Sequence, residues 1–210
     1  NTIYDQEGKL VATQSRSFDL TPQGVQSFEA DFKIKNPTLW QGRKNPYLYK
    51  IVSRLIRNGK VIDEVVQPLG LRKYEIVAGE GFYLNGEKYP MYGVTQGWWG
   101  LGSALKNENH DFDLATIMDI GATTVRFAHY QQSDYLYSRC DSLGLIIWAE
   151  IPFVNRVSGQ EAENARNQLR ELIRQSFNHP SIYVWGLHNE VYHPHEYTKE
   201  LTRSLHDLAK

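Results

Sequence analysis

The first 78 residues carry a strand-type pattern of apolar and polar positions with no helical period, and the pattern changes near residue 80. Phe28, Ala30, Phe32 and Ile34 alternate with Glu29, Asp31, Lys33 and Lys35, the pattern of a half-buried strand. Ile3-Tyr4 and residues 10–12 flank Asp5-Gln6-Glu7-Gly8, a turn composition. Residues 48–57 and 60–67 are rich in β-branched and aromatic side chains and are joined by Asn58-Gly59, a strong hairpin signal. No stretch here sustains a helical period. Residues 1–78 are therefore expected to form an antiparallel, immunoglobulin-like β-sandwich. About five or six strands are visible where seven are usual, so one or two are expected upstream of Asn1.

From residue 79 the grammar is different. A short hairpin spans residues 82–89 through Asn85-Gly86. Strand-like runs at 91–94, 123–127, 145–148 and 182–187 then alternate with helical patterns at 112–120, 133–143, 161–177 and 196–208. Ser133 reads as an N-cap, and Gly121 and Gly144 as stops. In the third helix Ala162, Ala165, Leu169, Leu172, Ile173 and Phe177 share one stripe. Strand–helix repeats predict a parallel sheet covered by helices, either doubly wound or part of a (β/α)8 barrel. The glycines of Gly97-Trp98-Trp99-Gly100-Leu101-Gly102 include two tryptophans where the backbone would have to approach a phosphate, which excludes a dinucleotide loop. The polar residues fall at the C-terminal strand ends: Arg126 and His129, then Glu150, then Asn189-Glu190. That is the catalytic face of a barrel, so residues 79–210 are predicted to be the first four βα units of a TIM barrel.

Charge and composition narrow the partners. With 23 Lys+Arg against 24 Asp+Glu in 210 residues, the net charge of −1 leaves no footprint for nucleic acid or an anionic membrane. The longest apolar run, residues 143–147, is far short of the roughly 20 residues a spanning helix needs. A hydrophobic content of 41% with 22% charged residues excludes a disordered chain. The single cysteine, Cys140, excludes an internal disulfide and a cysteine-built metal site, and its place beside Leu136 and Leu143 predicts a buried, inert thiol. Five Trp, 13 Tyr and 8 Phe suit stacking on sugar rings as well as core packing.

Asn189-Glu190 is the sharpest chemical feature. It follows the apolar run Ile182-Tyr183-Val184-Trp185, so the carboxyl is expected in a partly desolvated cleft. Desolvation disfavours the charged form, and a carboxyl kept protonated can donate to a leaving oxygen. A helix cap or a cation's partner would occupy the same position. Glu150 is a second strand-end carboxylate, alternatively the structural partner of Arg126 or Arg156. Arg126 and His129 are poor core material between the apolar Val125, Phe127 and Ala128, which marks them as site residues. His188, His193 and His195 cluster near Glu190 but read as a solvated loop, so no metal is predicted.

These residues together resemble glycoside hydrolase family 2. Asn178-His179-Pro180-Ser181 leading to Trp185-Gly186-Leu187-His188-Asn189-Glu190 is similar to the family's acid/base signature. Arg126-Phe127-Ala128-His129-Tyr130, then Tyr135-Leu136-Tyr137, Cys140-Asp141 and the run from Gly144 to Trp148, resemble its other signature. Leu39-Trp40, Asn45-Pro46-Tyr47-Leu48-Tyr49 and Gly70-Leu71-Arg72 resemble the end of its middle domain, and Phe82-Tyr83-Leu84-Asn85-Gly86-Glu87-Lys88 the start of its barrel. The likeness covers essentially the whole chain and is greatest to the bacterial β-galactosidases.

The resemblance implies a retaining hydrolase in which two carboxyl groups about 5 Å apart act on a carbohydrate substrate. It makes Glu190 the acid/base, Asn189 the partner of the sugar 2-hydroxyl, His129 a transition-state contact, and Arg126 and Glu150 the pocket floor. The nucleophile of the family is a Glu on a later strand, beyond Lys210. The 210 residues alone are therefore expected to be inactive, and to need the rest of the parent chain or to self-associate. Three departures from the galactosidase pattern stand out: no Arg-His between Thr95 and Gln96, Gln131 in place of Pro, and Thr124 in place of Asn. The magnesium motif of some galactosidases is absent after Glu150, so no cofactor is expected. The same chemistry on β-glucuronides or β-mannosides, or a non-catalytic carbohydrate-binding relic, are the alternatives.

Overall fold

In the computed structural model, which describes residues 1–19, 23–97, 104–155, 159–191 and 195–210, strands β1 (Thr2–Tyr4), β2 (Leu10–Thr13), β3 (Tyr49–Arg57) and β4 (Lys60–Leu69) form one antiparallel sheet. Its order is β2-β1-β3-β4. Asn58 and Gly59 both take positive φ, 51° and 73°, which matches the twist of the β3–β4 hairpin.

The alternating segment at 28–35 departs from expectation: it forms no strand. Phe28, Ala30, Phe32 and Ile34 instead line one wall of an apolar cavity of about 470 Å³, with Ile3, Ile51, Leu69 and Leu71 opposite. Period two selects which side chains face a neighbouring sheet. It does not supply a backbone ladder partner, and the main chain here runs alongside the sheet without one.

Strands β5 (Tyr74–Val77), β6 (Gly81–Leu84) and β7 (Glu87–Lys88) form a three-stranded antiparallel sheet. The Asn85-Gly86 turn has φ of 53° and 84°, as the hairpin signal required. Strand β5 is short and largely exposed, with Tyr74 stacked on Phe82 of β6.

The second part alternates β8 (Gly93–Gly97), α1 (Asn107–Asp119), β9 (Thr124–Ala128), α2 (Asp134–Leu143), β10 (Ile146–Glu150), α3 (Ala162–Ser176), β11 (Ile182–Gly186) and α4 (Glu196–Ala209). All four strands are parallel and lie in chain order, β8-β9-β10-β11. A doubly wound sheet reverses its order at a switch point; this sheet advances one strand at a time, as a barrel does. Val125, Phe127, Ile147 and Ala149 are buried on the helix side, against Leu114, Leu136, Leu169 and Leu172. Because successive side chains alternate across a strand, Arg126, Trp148 and Glu150 project from the other face.

The N-terminal ends of these strands are held from below. Trp40, Phe82, Leu84, Tyr89 and Ile146 form a second buried cluster. Trp40 Nε1 donates to the Asp141 carbonyl at 2.8 Å, and Arg43 Nη1 to the Ala122 carbonyl at 2.8 Å. The Arg72 guanidinium donates to the carbonyls of Pro180 and Ile182 and stacks over Tyr74. Burial pulls the Arg72 pKa down, opposed by Tyr74 and Asp141.

Helix α2 is delimited as the sequence suggests. Ser133 Oγ accepts from the Leu136 N–H, and Gly144 closes the helix at φ 75°. Gly144 also lies where a Cβ would overlap the backbone of Gly42. Gly144→Ala meets both the left-handed penalty and that overlap, so a loss of about 2 kcal/mol or more is expected in denaturant unfolding. A loss below about 0.5 kcal/mol would show that the Gly42 turn yields.

Candidate active site

Arg126 organises the C-terminal ends of the strands. It leaves β9 toward β10 and grips Glu150, with Nε to Oε2 at 2.9 Å and Nη2 to Oε1 at 3.1 Å. This two-pronged arrangement suits a planar guanidinium and a carboxylate. Glu150 is 1% exposed, so the pair is largely withdrawn from water. Arg126 Nη2 also donates to Asn189 Oδ1 at 2.7 Å. Because a guanidinium only donates, this bond settles the orientation of the Asn189 amide. Its Nδ2 is left as the donor for another partner.

His129 follows directly after β9, across a cis Ala128–His129 peptide. Its Nδ1 lies 2.5 Å from Glu150 Oε1. A carboxylate accepts and cannot donate, so Nδ1 carries the proton toward Glu150. The Arg126 Nη2 contact to the same nitrogen, at 3.4 Å, is then proximity between two donors. Glu150 thus accepts from both Arg126 and His129, and fixes the orientation of each.

Asn189 is held by its backbone as well. It pairs with Val154 in an isolated parallel bridge, receives Asn155 N–H on its carbonyl at 3.1 Å, and donates to the Phe153 carbonyl at 2.8 Å. The loops after β10 and β11 are thereby tied to each other. Glu190 comes next with φ of 46°, a left-handed conformation costing a non-glycine residue about 1–2 kcal/mol.

Beneath Glu150, two residues earlier on the same face, lies Trp148. The Arg126 guanidinium carbon sits 5.3 Å from its ring centroid. The indole Nε1 is buried with no hydrogen-bond partner among the described residues. Leaving such a donor unpaired costs about 1–3 kcal/mol. Gly186, opposite Glu150 in register, makes room for it: a Cβ there would overlap Trp148 Nε1 and press on the Glu150 side chain.

Four of the five site residues anticipated from sequence, Arg126, His129, Glu150 and Asn189, therefore meet in one bonded cluster. Glu190 adjoins the cluster in a left-handed turn and is exposed within residues 1–210. Of the two alternatives for Glu150, the Arg126 pairing is present, while Arg156 lies outside the described residues. His188 packs edge-on against Phe153 and His195 precedes α4; His193 and Trp98-Trp99 lie outside the described residues. No group of three or more metal-ligating side chains occurs among the described residues. Cys140 is fully buried, and burial pushes its thiol well up.

Sequence reasoning missed the Trp148 and Gly186 pair and a second buried network on the underside. There Asp141 accepts from His179 Nδ1 at 2.6 Å, from Ser181 Oγ at 2.5 Å and from the Ser181 N–H at 3.1 Å. The available signal was an aspartate on the apolar stripe of α2, next to Cys140.

Comparison with known proteins bears on what this arrangement is. The family model "Glycosyl hydrolases family 2" matches residues 1–72, and "Glycosyl hydrolases family 2, TIM barrel domain" matches residues 76–209. A beta-glucuronidase of Bacteroides fragilis is 40% identical over 214 residues, covering 96% of this chain and 31% of that protein. A beta-galactosidase of Thermoanaerobacter pseudethanolicus is 31% identical over 184 residues, 85% of this chain and 24% of that protein. The crystal structure of a putative beta-galactosidase from Bacteroides fragilis is 80% identical with a TM-score of 0.96, and covers 100% of this chain and 31% of that one. The chain thus spans about a third or less of the length of these relatives. Matched in both its sandwich and its TIM barrel portions, the chain belongs to glycosyl hydrolases family 2.

Proposed function

We propose that this chain is a segment of a retaining exo-β-glycosidase, comprising the end of an immunoglobulin-like domain and the first four βα units of the catalytic barrel, and that Glu190 is its proton donor. The observation that carries the reading is the bonded cluster beside Glu190. Arg126 turns the Asn189 amide so that Nδ2 faces away from the guanidinium as a donor, suited to a sugar hydroxyl. Glu150, satisfied by Arg126 and His129, has its lone pairs engaged and serves as a fixed counter-charge. Glu190, exposed and next to Asn189 after the same strand, is the carboxyl we assign to the glycosidic oxygen.

In this mechanism Glu190 gives its proton to the leaving oxygen while a carboxylate from the rest of the parent chain attacks the anomeric carbon. Glu190 then takes a proton from the water that releases the sugar. Residues 1–210 alone would lack that attacking carboxylate and would not turn over.

Terminal β-galactosides are the substrates the signature motifs suggest. A second reading, β-glucuronides, is favoured by the name of the 40% identical relative. Assaying the full-length enzyme on paired 4-nitrophenyl β-galactoside and β-glucuronide separates the two; failure on both and on the β-mannoside removes the exo-glycosidase reading. Within the active enzyme, Asn189→Ala and His129→Ala are each expected to lower kcat and kcat/KM together, by roughly 10- to 1,000-fold, because their bonds strengthen as charge develops. A rise in KM with kcat intact would assign them to ground-state binding instead.

A further inference from the structure

Trp148 closes the apolar run from Gly144 that resembles the family signature, and its indole is closely fitted beside the cluster. It stands beside Arg126 on β9 and Val184 on β11 in register, directly below Glu150. Its indole reaches across toward β11 and takes the space a side chain at position 186 would fill. Its Nε1 is sealed from solvent, so it cannot serve a ligand as a donor. What the ring offers is its face, and the guanidinium of Arg126 lies 5.3 Å from its centroid.

Arg126 needs such a support. It makes three hydrogen bonds at once, two to Glu150 and one to Asn189, with a side chain that has several rotatable bonds and is only partly buried. The Glu150 bonds fix one edge of the guanidinium. The bond to Asn189 depends on the tilt of its plane, and a flat aromatic floor sets that tilt.

We infer that Trp148, admitted by Gly186, is a positioning residue: it holds Arg126 flat so that Arg126 orients Asn189 for the substrate. Trp148 touches no substrate. Loss of the ring leaves the Arg126–Glu150 pair in place but lets the guanidinium tilt and the Asn189 amide turn over, presenting an acceptor where a donor is required.

This rests on the reading of Asn189-Glu190 as the catalytic edge, and the test is arranged to separate the two. In the full-length enzyme, on the 4-nitrophenyl glycoside it hydrolyses, Trp148→Leu is expected to lower kcat about tenfold with KM changed less than about threefold. Trp148→Phe, which keeps an aromatic face, should retain most of kcat. Trp148→Met serves where the leucine variant does not fold, with the same loss expected. The decisive measurement is the double variant with Arg126→Lys: its loss should be no greater than that of Arg126→Lys alone, since both remove one device. A ring that merely fills space would lower stability, leave kcat within about twofold of the parent, and give losses that multiply; either result overturns the inference. If Glu190→Gln shows no dependence on leaving group while the Trp148–Arg126 coupling is found, the proton-donor reading fails and this one stands. The converse pair of results rejects this inference alone.

Discussion

Glu190→Gln is expected to slow hydrolysis of glycosides with poorly acidic leaving groups by about 100- to 10,000-fold, the usual contribution of a positioned general acid. A dinitrophenyl glycoside needs no protonation to depart, so formation of its glycosyl-enzyme should be nearly spared. The variant then stalls at the second step, where the base that activates water is missing. Azide is a nucleophile that needs no base, and it should restore turnover on the activated substrate and yield the glycosyl azide. Equal losses on both substrates, with no azide effect, would move the proton-donating role to another residue. Glu190 is exposed and sits in a left-handed turn directly after Asn189. Exchanging its carboxyl for an amide keeps the size and shape of the side chain, so a loss confined to the poorly acidic leaving groups reads proton transfer rather than misfolding.

The strand ends were legible because a parallel βα sheet places consecutive residues under strong constraint. An apolar run that terminates in Arg126, Glu150 or Asn189 can hold those side chains only on the inner face or beyond the last rung. The helix limits at Ser133 and Gly144 were legible for a similar reason, since capping and the left-handed stop are local events. Three features were not legible. The apolar alternation at 28–34 reads as a strand, but a period of two is silent about ladder partners. The Asp141–His179–Ser181 network was not visible because its members lie 38 and 40 residues apart in sequence. The Trp148–Gly186 fit could not be seen because it depends on register: only when β10 and β11 are aligned with Glu150 opposite Gly186 does the indole find its space. The strand ends divide the labour, with polar chemistry at one end and clamps from the sandwich portion at the other. The second large effect is therefore expected far from the sugar.

Removing the Asp141 carboxylate should unfasten the underside. Asp141 is 0% exposed, and its two oxygens are shared among the His179 ring and the Ser181 hydroxyl and N–H, immediately before β11. Its own carbonyl accepts from Trp40, so the same residue joins α2, the start of β11 and the segment around Trp40 that precedes β3. Burial alone would lower the His179 pKa, but the hydrogen bond and charge of Asp141, with Asp134 behind it, outweigh burial and hold His179 above the ordinary histidine value. Asp141→Ala strands a buried imidazolium and two donors, so a loss of about 3–5 kcal/mol is expected. At roughly 2–4 °C per kcal/mol for a domain of this size, the melting temperature should fall by about 6–20 °C. The pH dependence carries the diagnosis. A folded-state pKa above the unfolded value of about 6.5 means that this contribution is fully present below that pH and is lost as pH rises through the folded value. Stability of the parent protein should therefore decline above about pH 6.5 from this source. In Asp141→Asn, which keeps the shape and removes the charge, that decline should disappear. Urea midpoints across pH 5.5–9 measure both quantities. If Asp141→Asn unfolds within about 1 kcal/mol of the parent and follows the same pH slope, the network is not what holds β11 to the underside, and the Arg72 bonds to Pro180 and Ile182 must carry that attachment instead.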